Sequence, residues 1–457
     1  MTTAVQLARV QFALTIGYHF MFVPISIGVG LIMVLAARRY RRTGVAADRS
    51  AVDLWTRIFA ATFAAGVATG LTMEFAFGTN WSGFSRFVGN IFGVPLAAEG
   101  IFSFFVESSF LGIVLFGKNR ISSRAYYVST WIVFGAALFS AFWILAANSW
   151  MHTPAGFRVE DGRAVLTNIW AAIFTKSLAP RFVHTVNATF MTGAFLSAGV
   201  AAHYLIKGRH LDFAKRALTT ALIIGTITSV AQPFLGHWQS LQIAADQPMK
   251  MAAMEGVYTT GSHQALSIYG WVDTATQKPV SIQIPDGLSL MLGLNPNHVV
   301  KGLDQVPPAD RPNTQVLFQS WHLMIAVGIT LVAIMLIGLL LWWRKRLQFS
   351  LPYLKVLRVA MPLPIIACIL GWMTTEMGRQ PWIVQGQLRT VDAVSKTVTT
   401  GQVATTLAIL VVVYTGVAVA WFHVVREIVR KGPAPVAVGD EEAVSAAPLS
   451  AEPERLP

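Results

Sequence analysis

The sequence predicts an all-α protein, a polytopic membrane helix bundle of about nine transmembrane helices. Of the 457 residues, 54% are hydrophobic and only 12% are charged, and the mean hydropathy is +0.55. A soluble globule of this size would need more polar surface than these residues provide. Apolar stretches of about 20 residues, the length that crosses a bilayer, recur along the chain. Basic residues cluster at the ends of these stretches, as they do in membrane proteins.

Nine apolar stretches are long enough to span a membrane. The first ends in Arg38 and Arg39 and is too long for the apolar region of a signal peptide, so it predicts a retained helix. The nine stretches lie near residues 12–37, 55–78, 96–117, 125–147, 182–206, 217–236, 316–343, 356–377 and 403–425.

The basic clusters predict the orientation of the chain. They follow the first, third, fifth, seventh and ninth spans, and the positive-inside rule then places the N-terminus outside and the C-terminus in the cytoplasm. The net charge of +13 is confined to such clusters, which argues against nucleic acid as a partner. The clusters include Arg38, Arg39, Arg41 and Arg42; Lys118, Arg120 and Arg124; Lys207, Arg209, Lys215 and Arg216; Arg344, Lys345 and Arg346; and Arg426, Arg430 and Lys431.

The spans divide the chain into four parts. Residues 1–236 contain helices 1–6, and residues 316–431 contain helices 7–9. Between them, residues 237–315 form an outer-side loop whose length indicates a function. Residues 432–457, rich in Ala, Pro, Glu and Ser, predict a disordered cytoplasmic tail. The single cysteine, Cys368, excludes a disulfide framework and a cysteine-ligated metal site.

Side chains that can carry charge or bind a metal are expensive at membrane depth, so each requires a partner or a function. On the predicted topology most of them fall in the outer half of the bilayer. Glu107 is deeper, eight residues and about 12 Å along the same helix from Glu99. Two carboxylates in that arrangement suggest a proton path. The set consists of His19, Glu99, Glu107, His184, His322, Met324 and Glu376.

Single ligands on separate helices of a dry bundle favour haem, whose iron accepts His and Met axially. A zinc site would need a closed set of Cys and His, which is absent. Two other classes of protein stay open on these residues. One is an ion-coupled transporter with Glu99 and Glu107 as carriers, although the chain lacks the half-to-half repeat of many transporters. The other is a haem protein that only relays electrons.

Six segments, taken in order, resemble subunit I of the cytochrome bd-type quinol oxidases. The resemblance covers about residues 5–430. It implies quinol oxidation on the outer side and reduction of dioxygen to water with cytoplasmic protons, which generates a proton motive force without pumping, in the inner membrane of a bacterium. The segments are RVQFALTIGYHFMFVP (9–24), TNWSGFSRFVGNIFGVPLAAEGIFSFFVES (79–108), WILAANSWMHTPAG (143–156), RFVHTVNATFMTGA (181–194), KMAAMEG (250–256) and GWMTTEMGRQPW (371–382).

The resemblance implies three haems. His184 and Met324 would be the axial ligands of a low-spin haem b. His19 would bind a third haem, either haem d or a haem b in its place, with Glu99 close to the iron. Glu376 would be the ligand of a high-spin haem b.

Other residues acquire implied roles from the same resemblance. Trp372 would pack beside the high-spin haem, and Arg379 and Gln380 are placed to bind haem propionates by charge-assisted hydrogen bonds. Lys250 and Glu255 in the outer loop would hold the quinol and accept its protons.

The implied proton path to the oxygen site consists of Glu107, Ser140 and Asn148. The implied partners are subunit II of the oxidase and a small single-helix subunit, together with quinol, dioxygen and the lipid bilayer.

One position departs from the family pattern, which commonly has Arg two residues before the Met ligand. Here that residue is His322, which becomes a rival to Met324 as the haem ligand.

Overall fold

The computed structural model describes residues 3–117 and 120–434 and is predominantly helical. Within those residues eight helices or helix pairs are long and apolar enough to cross a membrane, which confirms the all-α polytopic bundle. The predicted disordered tail lies, apart from residues 432–434, outside the described residues. The long helices are α1 (Thr3–Thr43), α2 (Ala46–Thr79), α3 (Ser82–Ala98), α4 (Phe105–Phe116), α5 (Ser123–His152), α7 (Leu178–Lys207), α8 (Leu211–Asp246), α11 (Thr314–Trp343), α12 (Leu351–Ala360), α13 (Leu363–Met377) and α15 (Thr400–Lys431).

The third predicted span, 96–117, is not one uniform helix. Helix α3 leads into a π-helical segment, Glu99–Phe104, and then into α4. Pro95 lies inside α3 just before this change, and proline removes one backbone donor from the helical ladder. Single π-helical turns inside longer helices occur frequently at functional sites.

The eighth predicted span is also divided. Helix α12 ends at Ala360 and α13 begins at Leu363. Pro362 and Pro364 have no backbone N–H, so they cannot donate the hydrogen bonds that would continue α12, but they are tolerated at the start of a new helix. The two helices together form one apolar segment, Leu351–Met377.

Short elements fill the connections between the long helices. Three antiparallel hairpins pair β1 with β2, β3 with β4, and β5 with β6. These elements are β1 (Phe157–Glu160), β2 (Arg163–Leu166), α6 (Ile169–Ile173), α9 (Pro248–Glu255), β3 (Leu266–Asp273), β4 (Lys278–Ile284), α10 (Gly287–Gly293), β5 (Trp382–Val384), β6 (Leu388–Arg389) and α14 (Thr390–Ala393), with 3₁₀ turns at Leu303–Gln305 and Pro308–Asp310.

The hydrogen bonds distinguish two ends of the bundle. At the first, the basic end, Asp48 is the shared partner of Arg39 at 3.1 Å and Arg216 at 3.0 Å, joining α2 to α1 and α8. At the second, the loop end, Gln247 lies between His152 and Gln385 at 3.2 Å from each. The hairpins and α9 lie at this end. Helix α8 reaches it ten residues beyond the predicted limit of the sixth span.

Two glycines bring α1 and α7 into close contact. An added Cβ at Gly28 would lie 2.3 Å from the carbonyl oxygen of Thr189, and one at Gly193 would lie 2.3 Å from the Gly28 carbonyl. Small residues are enriched where membrane helices approach this closely. The α1–α7 contact matters for function because these helices carry His19 and His184.

We expect Gly193→Ala to lower the thermal stability of the complex, measured as the unfolding temperature in detergent. Overpacking of this kind typically costs about 1–3 kcal/mol. The matched control is Gly416→Ala in α15, where an added Cβ would meet nothing within 4 Å. An unfolding temperature for Gly193→Ala equal to that of the control would contradict the close helix contact.

Candidate functional site

Glu376, in the last turn of α13, is the centre of a buried polar cluster at the loop end. Its Oε2 accepts a hydrogen bond from Arg379. Its Oε1 accepts from Asn148 Nδ2 at 2.8 Å and lies 3.6 Å from His152 Nε2. Three elements thus position this carboxylate: α13, the turn that follows it, and α5.

A second buried arginine completes the cluster. Arg181, in the first turn of α7, donates from Nη1 to Asn148 Oδ1 at 3.0 Å. Arg181 and Arg379 are each 3% exposed, and Arg181 Nε and Nη2 and Arg379 Nε and Nη1 have no hydrogen-bond partner among the described residues. Buried charges are normally paired and hydrogen-bonded. The two guanidinium groups therefore have donors available for a further anion beside Glu376.

Lys250, in α9, is buried against the end of α13. Its Nζ donates to the carbonyl oxygen of Thr375 at 3.0 Å. Its aliphatic part lies on Gly378, where an added Cβ would come within 2.6 Å of Lys250 Cγ. Burial, followed by the positive charge of Arg181, holds the pKa of Lys250 well below its ordinary value. The amine can therefore change its charge more easily than an exposed lysine.

Glu255, the last residue of α9, accepts a hydrogen bond from Trp321 Nε1 at 2.7 Å on Oε1. Burial raises the pKa of Glu255 to about 7, and the Trp321 hydrogen bond opposes that rise. A carboxyl group with such a pKa can both accept and release a proton near neutrality.

His322 lies next to Glu255, with its Nε2 3.9 Å from Glu255 Oε2. Each ring nitrogen also faces a backbone carbonyl oxygen, Nδ1 that of Phe318 at 2.8 Å and Nε2 that of Ser267 at 3.0 Å. A histidine that binds iron needs one ring nitrogen free, and in His322 both ring nitrogens face carbonyl oxygens. The contacts of His322 are thus with the predicted quinol residue Glu255 and with strand β3.

Met324 and His184 project from helices that share two neighbours. Helices α7 and α11 both pack on α8 and on α13. An added Cβ at Gly371 would lie 2.9 Å from the Met324 sulfur, so this thioether abuts α13. The His184 ring abuts α8, where the Gln232 amide nitrogen lies 3.2 Å from Nε2 and 3.4 Å from Nδ1.

The tautomer of His19 follows from its contact with α2. Its Nδ1 lies 3.0 Å from Thr69 Oγ1. That hydroxyl already donates its single proton to the carbonyl oxygens of Ala65 and Gly66, both at 3.0 Å. With that donation, Thr69 accepts from Nδ1–H, and the lone pair on Nε2 of His19 is the one available to a metal.

The predicted proton-path residues reach different carboxylates. Ser140 Oγ donates to Glu99 Oε1 at 2.7 Å, whereas Asn148, eight residues and about 12 Å further along α5, donates to Glu376. Glu107 is 6% exposed in α4. Helix α5 therefore connects the Glu99 region with the Glu376 cluster.

The remaining predicted site residues lie at the margin of the cluster. Trp372 packs against Phe20, with ring centroids 6.2 Å apart, which links α13 to the helix that carries His19. The Oε1 atom of Gln380 accepts from Thr390 Oγ1 at 2.9 Å, so this end of the amide is directed toward α14.

Two members of the cluster, His152 and Arg181, were not among the residues singled out from the sequence. Both lie within the quoted segments, and both are ionisable residues at the end of an apolar span. In the sequence, an ionisable residue at the end of a span looks like an ordinary residue of the membrane interface. Its burial is produced by the loops that cover it, and the sequence of the span does not show those loops.

Comparison with known proteins agrees with the fold. The family model described as cytochrome bd terminal oxidase subunit I matches residues 7–433. Cytochrome bd ubiquinol oxidase subunit 1 of Bacillus subtilis (strain 168) is 36% identical over 443 residues, covering 93% of each chain. Cytochrome bd-II ubiquinol oxidase subunit 1 of Escherichia coli (strain K12) is 32% identical, covering 95% of this chain and 98% of the relative.

A solved structure shares the architecture. The bd oxidase from Geobacillus thermodenitrificans superposes with a TM-score of 0.87 at 28% identity, covering 94% of this chain and 99% of that one. The apolar helix bundle and these matches identify a multi-pass membrane oxidoreductase subunit. The chain belongs to the cytochrome bd terminal oxidase subunit I family. Membership implies haem cofactors and a second subunit.

The residues of the site fit haem. Arg181 and Arg379 have unused buried donors, and guanidinium groups bind carboxylates such as propionates well. His19 offers an imidazole nitrogen. Met324 offers a thioether on α11, which packs on the same two helices, α8 and α13, as the helix that carries His184. These are the ligand types that haem iron accepts.

Proposed function

We propose that the chain is the haem-bearing subunit of a quinol oxidase that takes electrons from quinol at the loop end and reduces dioxygen to water. The principal support is the arrangement of Lys250 and Glu255 on α9. Both side chains are buried, and Lys250 contacts the last turn of α13 beside Glu376. Oxidation of a quinol releases two protons and two electrons, so its site requires proton acceptors close to an electron acceptor.

Within this proposal Lys250 and Glu255 on α9 and Trp321 on α11 have distinct roles. Lys250 Nζ is a donor that can orient a quinol oxygen. Glu255, ionised above a pH of about 7, accepts the proton that the quinol hydroxyl loses. Trp321 holds the carboxylate in position through its indole N–H.

We propose three haem sites on the residues described above. His184 with Met324 would hold a low-spin haem b, Glu376 a high-spin haem b, and His19 with Glu99 nearby a third haem, haem d or haem b. Bound haem would supply one-electron transfer and an iron centre for dioxygen chemistry. The chain's own contribution is to orient these groups through Arg379 and Arg181 and to exclude water from them.

Protons for dioxygen reduction would come from the basic end, which the proposal places in the cytoplasm of a bacterium, at the cytoplasmic membrane. Glu107 in α4 and the Ser140–Glu99 hydrogen bond are the groups that would carry them. Quinol protons would leave at the opposite, loop end. Charge then separates across the membrane without a pump.

Glu255→Gln should reduce quinol-dependent oxygen uptake by about 100-fold or more, because a positioned general base contributes roughly 10²–10⁴-fold. With Glu255 present, activity should rise with pH as the carboxyl group loses its proton around pH 7, and fall below it. In Glu255→Gln this rise should be absent. The matched control is Glu160→Gln, an exposed residue of β1 paired with Arg158. Unchanged activity and pH profile in Glu255→Gln would contradict the assignment.

A further inference from the structure

The β3–β4 hairpin exposes a face made of apolar side chains. Its register pairs Tyr269 with Ile282 and Trp271 with Val280, and these four cross-strand neighbours are all exposed, by 60%, 67%, 55% and 45% respectively. The opposite face carries the buried Ser267, Gly270 and Val272. Ile268 and Ile284 extend the exposed apolar set. We call the exposed side, formed by Ile268, Tyr269, Trp271, Val280, Ile282 and Ile284, the apolar hairpin face.

A strand that packs one face on a protein and presents the other to water has apolar residues inside and polar residues outside. The hairpin instead directs its apolar cross-strand pairs outward and places Ser267, Gly270 and Val272 against the protein. An outward apolar face is the pattern of strands that face lipid. A contiguous exposed apolar face of aromatic and β-branched residues therefore requires an apolar surrounding.

Three hydrogen bonds fix the depth of the hairpin along α11. The Gln315 side chain accepts from the Val272 N–H at 2.8 Å. The Gln319 amide donates to the carbonyl oxygen of Gly270 at 2.7 Å. The third contact joins His322 to the carbonyl oxygen of Ser267 at 3.0 Å. Positions 315, 319 and 322 lie on one face of the helix, so β3 follows the first two turns of α11.

The bilayer can be placed on the same helix. From Trp343, at the basic end, His322 lies roughly 32 Å away and Gln315 roughly 42 Å away at 1.5 Å per residue. A hydrocarbon core is about 30 Å thick, and about 40–45 Å with both headgroup regions. With Trp343 at one edge of the hydrocarbon, the other edge lies roughly 30 Å away, close to His322, and one headgroup region of about 5–8 Å ends between His322 and Gln315. The Ser267 end of the hairpin therefore lies in the headgroup layer, and the Val272 end lies at its water boundary.

The residue types of the hairpin are those expected at the membrane–water interface. Trp and Tyr are the residues enriched at membrane–water interfaces, and Trp271 and Tyr269 lie on the apolar hairpin face. The charged residues Asp273 and Lys278 lie at the turn, next to Gln315, which is the water-side end. On α11 the neighbouring Leu323 is itself exposed by 41%, so the face continues a lipid-facing helix surface.

We propose that the apolar hairpin face is embedded in the lipid interface of the bilayer, with acyl chains and glycerol groups as its partner. Strand β3 connects this embedded face to Glu255 through the contacts of Ser267 and His322. The proposal concerns the membrane contact alone and does not depend on the identity of the electron donor.

The test measures thiol reactivity of this chain in the intact complex reconstituted into lipid nanodiscs, in a Cys368→Ala background that removes the chain's only cysteine. Ile282→Cys places a thiol on the apolar hairpin face, and Ala275→Cys places a matched thiol at the exposed hairpin turn. A charged, membrane-impermeant maleimide should modify Ile282→Cys at least about tenfold more slowly than Ala275→Cys, because the reactive thiolate is disfavoured in apolar surroundings. In denaturing detergent the two rates should become equal.

A second arm requires no substitution. A phospholipid with a photoactivatable group near the glycerol region, incorporated in the nanodisc, should form adducts on the peptide that contains residues 266–284. Equal maleimide rates in the nanodisc would overturn the proposal. A slow rate for Ile282→Cys without lipid adducts would also overturn it, since another subunit would then cover the face.

Discussion

Glu376→Gln should abolish oxygen uptake and remove one haem b from the purified complex. The substitution preserves shape but leaves buried Arg379 without its carboxylate partner, and it removes the negative charge that Asn148 joins to Arg181. Breaking a buried ion pair by removing one partner typically costs about 3–5 kcal/mol. The proposed high-spin haem would at the same time lose its ligand. The measurements are oxygen uptake and haem per protein by extraction.

A paired variant separates the two effects. In Glu376→Gln with Arg379→Gln the cluster regains the net charge of the wild type, so stability should recover in part. If Glu376 is the haem ligand, the missing haem should not return, whereas Arg379→Gln alone, which keeps Glu376, should retain more haem than the paired variant. Glu427→Gln, which removes an exposed ion pair with Arg430, is the control and should keep haem and activity. Full haem content in Glu376→Gln would contradict the ligand assignment.

Met324→Leu should remove the low-spin haem signature from the reduced absorption spectrum. Leucine has nearly the volume of methionine, and such replacements usually cost less than about 1.5 kcal/mol in stability. The loss would therefore reflect the missing thioether. Because the ring nitrogens of His322 face the carbonyl oxygens of Phe318 and Ser267, we expect His322→Gln to retain the low-spin signature.

The reverse result would assign the ligand differently. An intact low-spin spectrum in Met324→Leu, together with its loss in His322→Gln, would make His322 the ligand in place of Met324. His322→Gln should in any case alter the quinol kinetics, since it removes the imidazole 3.9 Å from Glu255.

The helices were the most predictable part of the fold. Apolar stretches of sufficient length identified α1, α2, α5, α7, α8, α11, α13 and α15, because membrane insertion demands long apolar segments whatever the tertiary contacts are. Boundaries were less predictable. Helix α8 continues through polar residues such as Gln239 and Gln242 to Asp246, since helical hydrogen bonding does not stop where hydropathy falls. The β3–β4 hairpin lay inside a loop without an assigned structure.

The candidate site could be predicted residue by residue but not as a network. Glu376 and Arg379 share one quoted segment, and their spacing of three brings them together where α13 ends and the following turn begins. Their contacts with Asn148 and Arg181 depend on how α5 and α7 meet α13, which no local pattern encodes. The same holds for His322, whose neighbours Glu255 and Ser267 lie more than fifty residues away in sequence.

The most direct test of the proposed quinol oxidase is an anaerobic difference spectrum of the purified two-subunit complex, recorded after addition of reduced quinol and compared with the air-oxidised state. We predict haem b bands that appear with quinol alone and disappear when oxygen is admitted, with a red chlorin band as well if the His19 site holds haem d. Absence of haem bands in folded complex, or haem that dithionite reduces but quinol does not, would contradict the proposal.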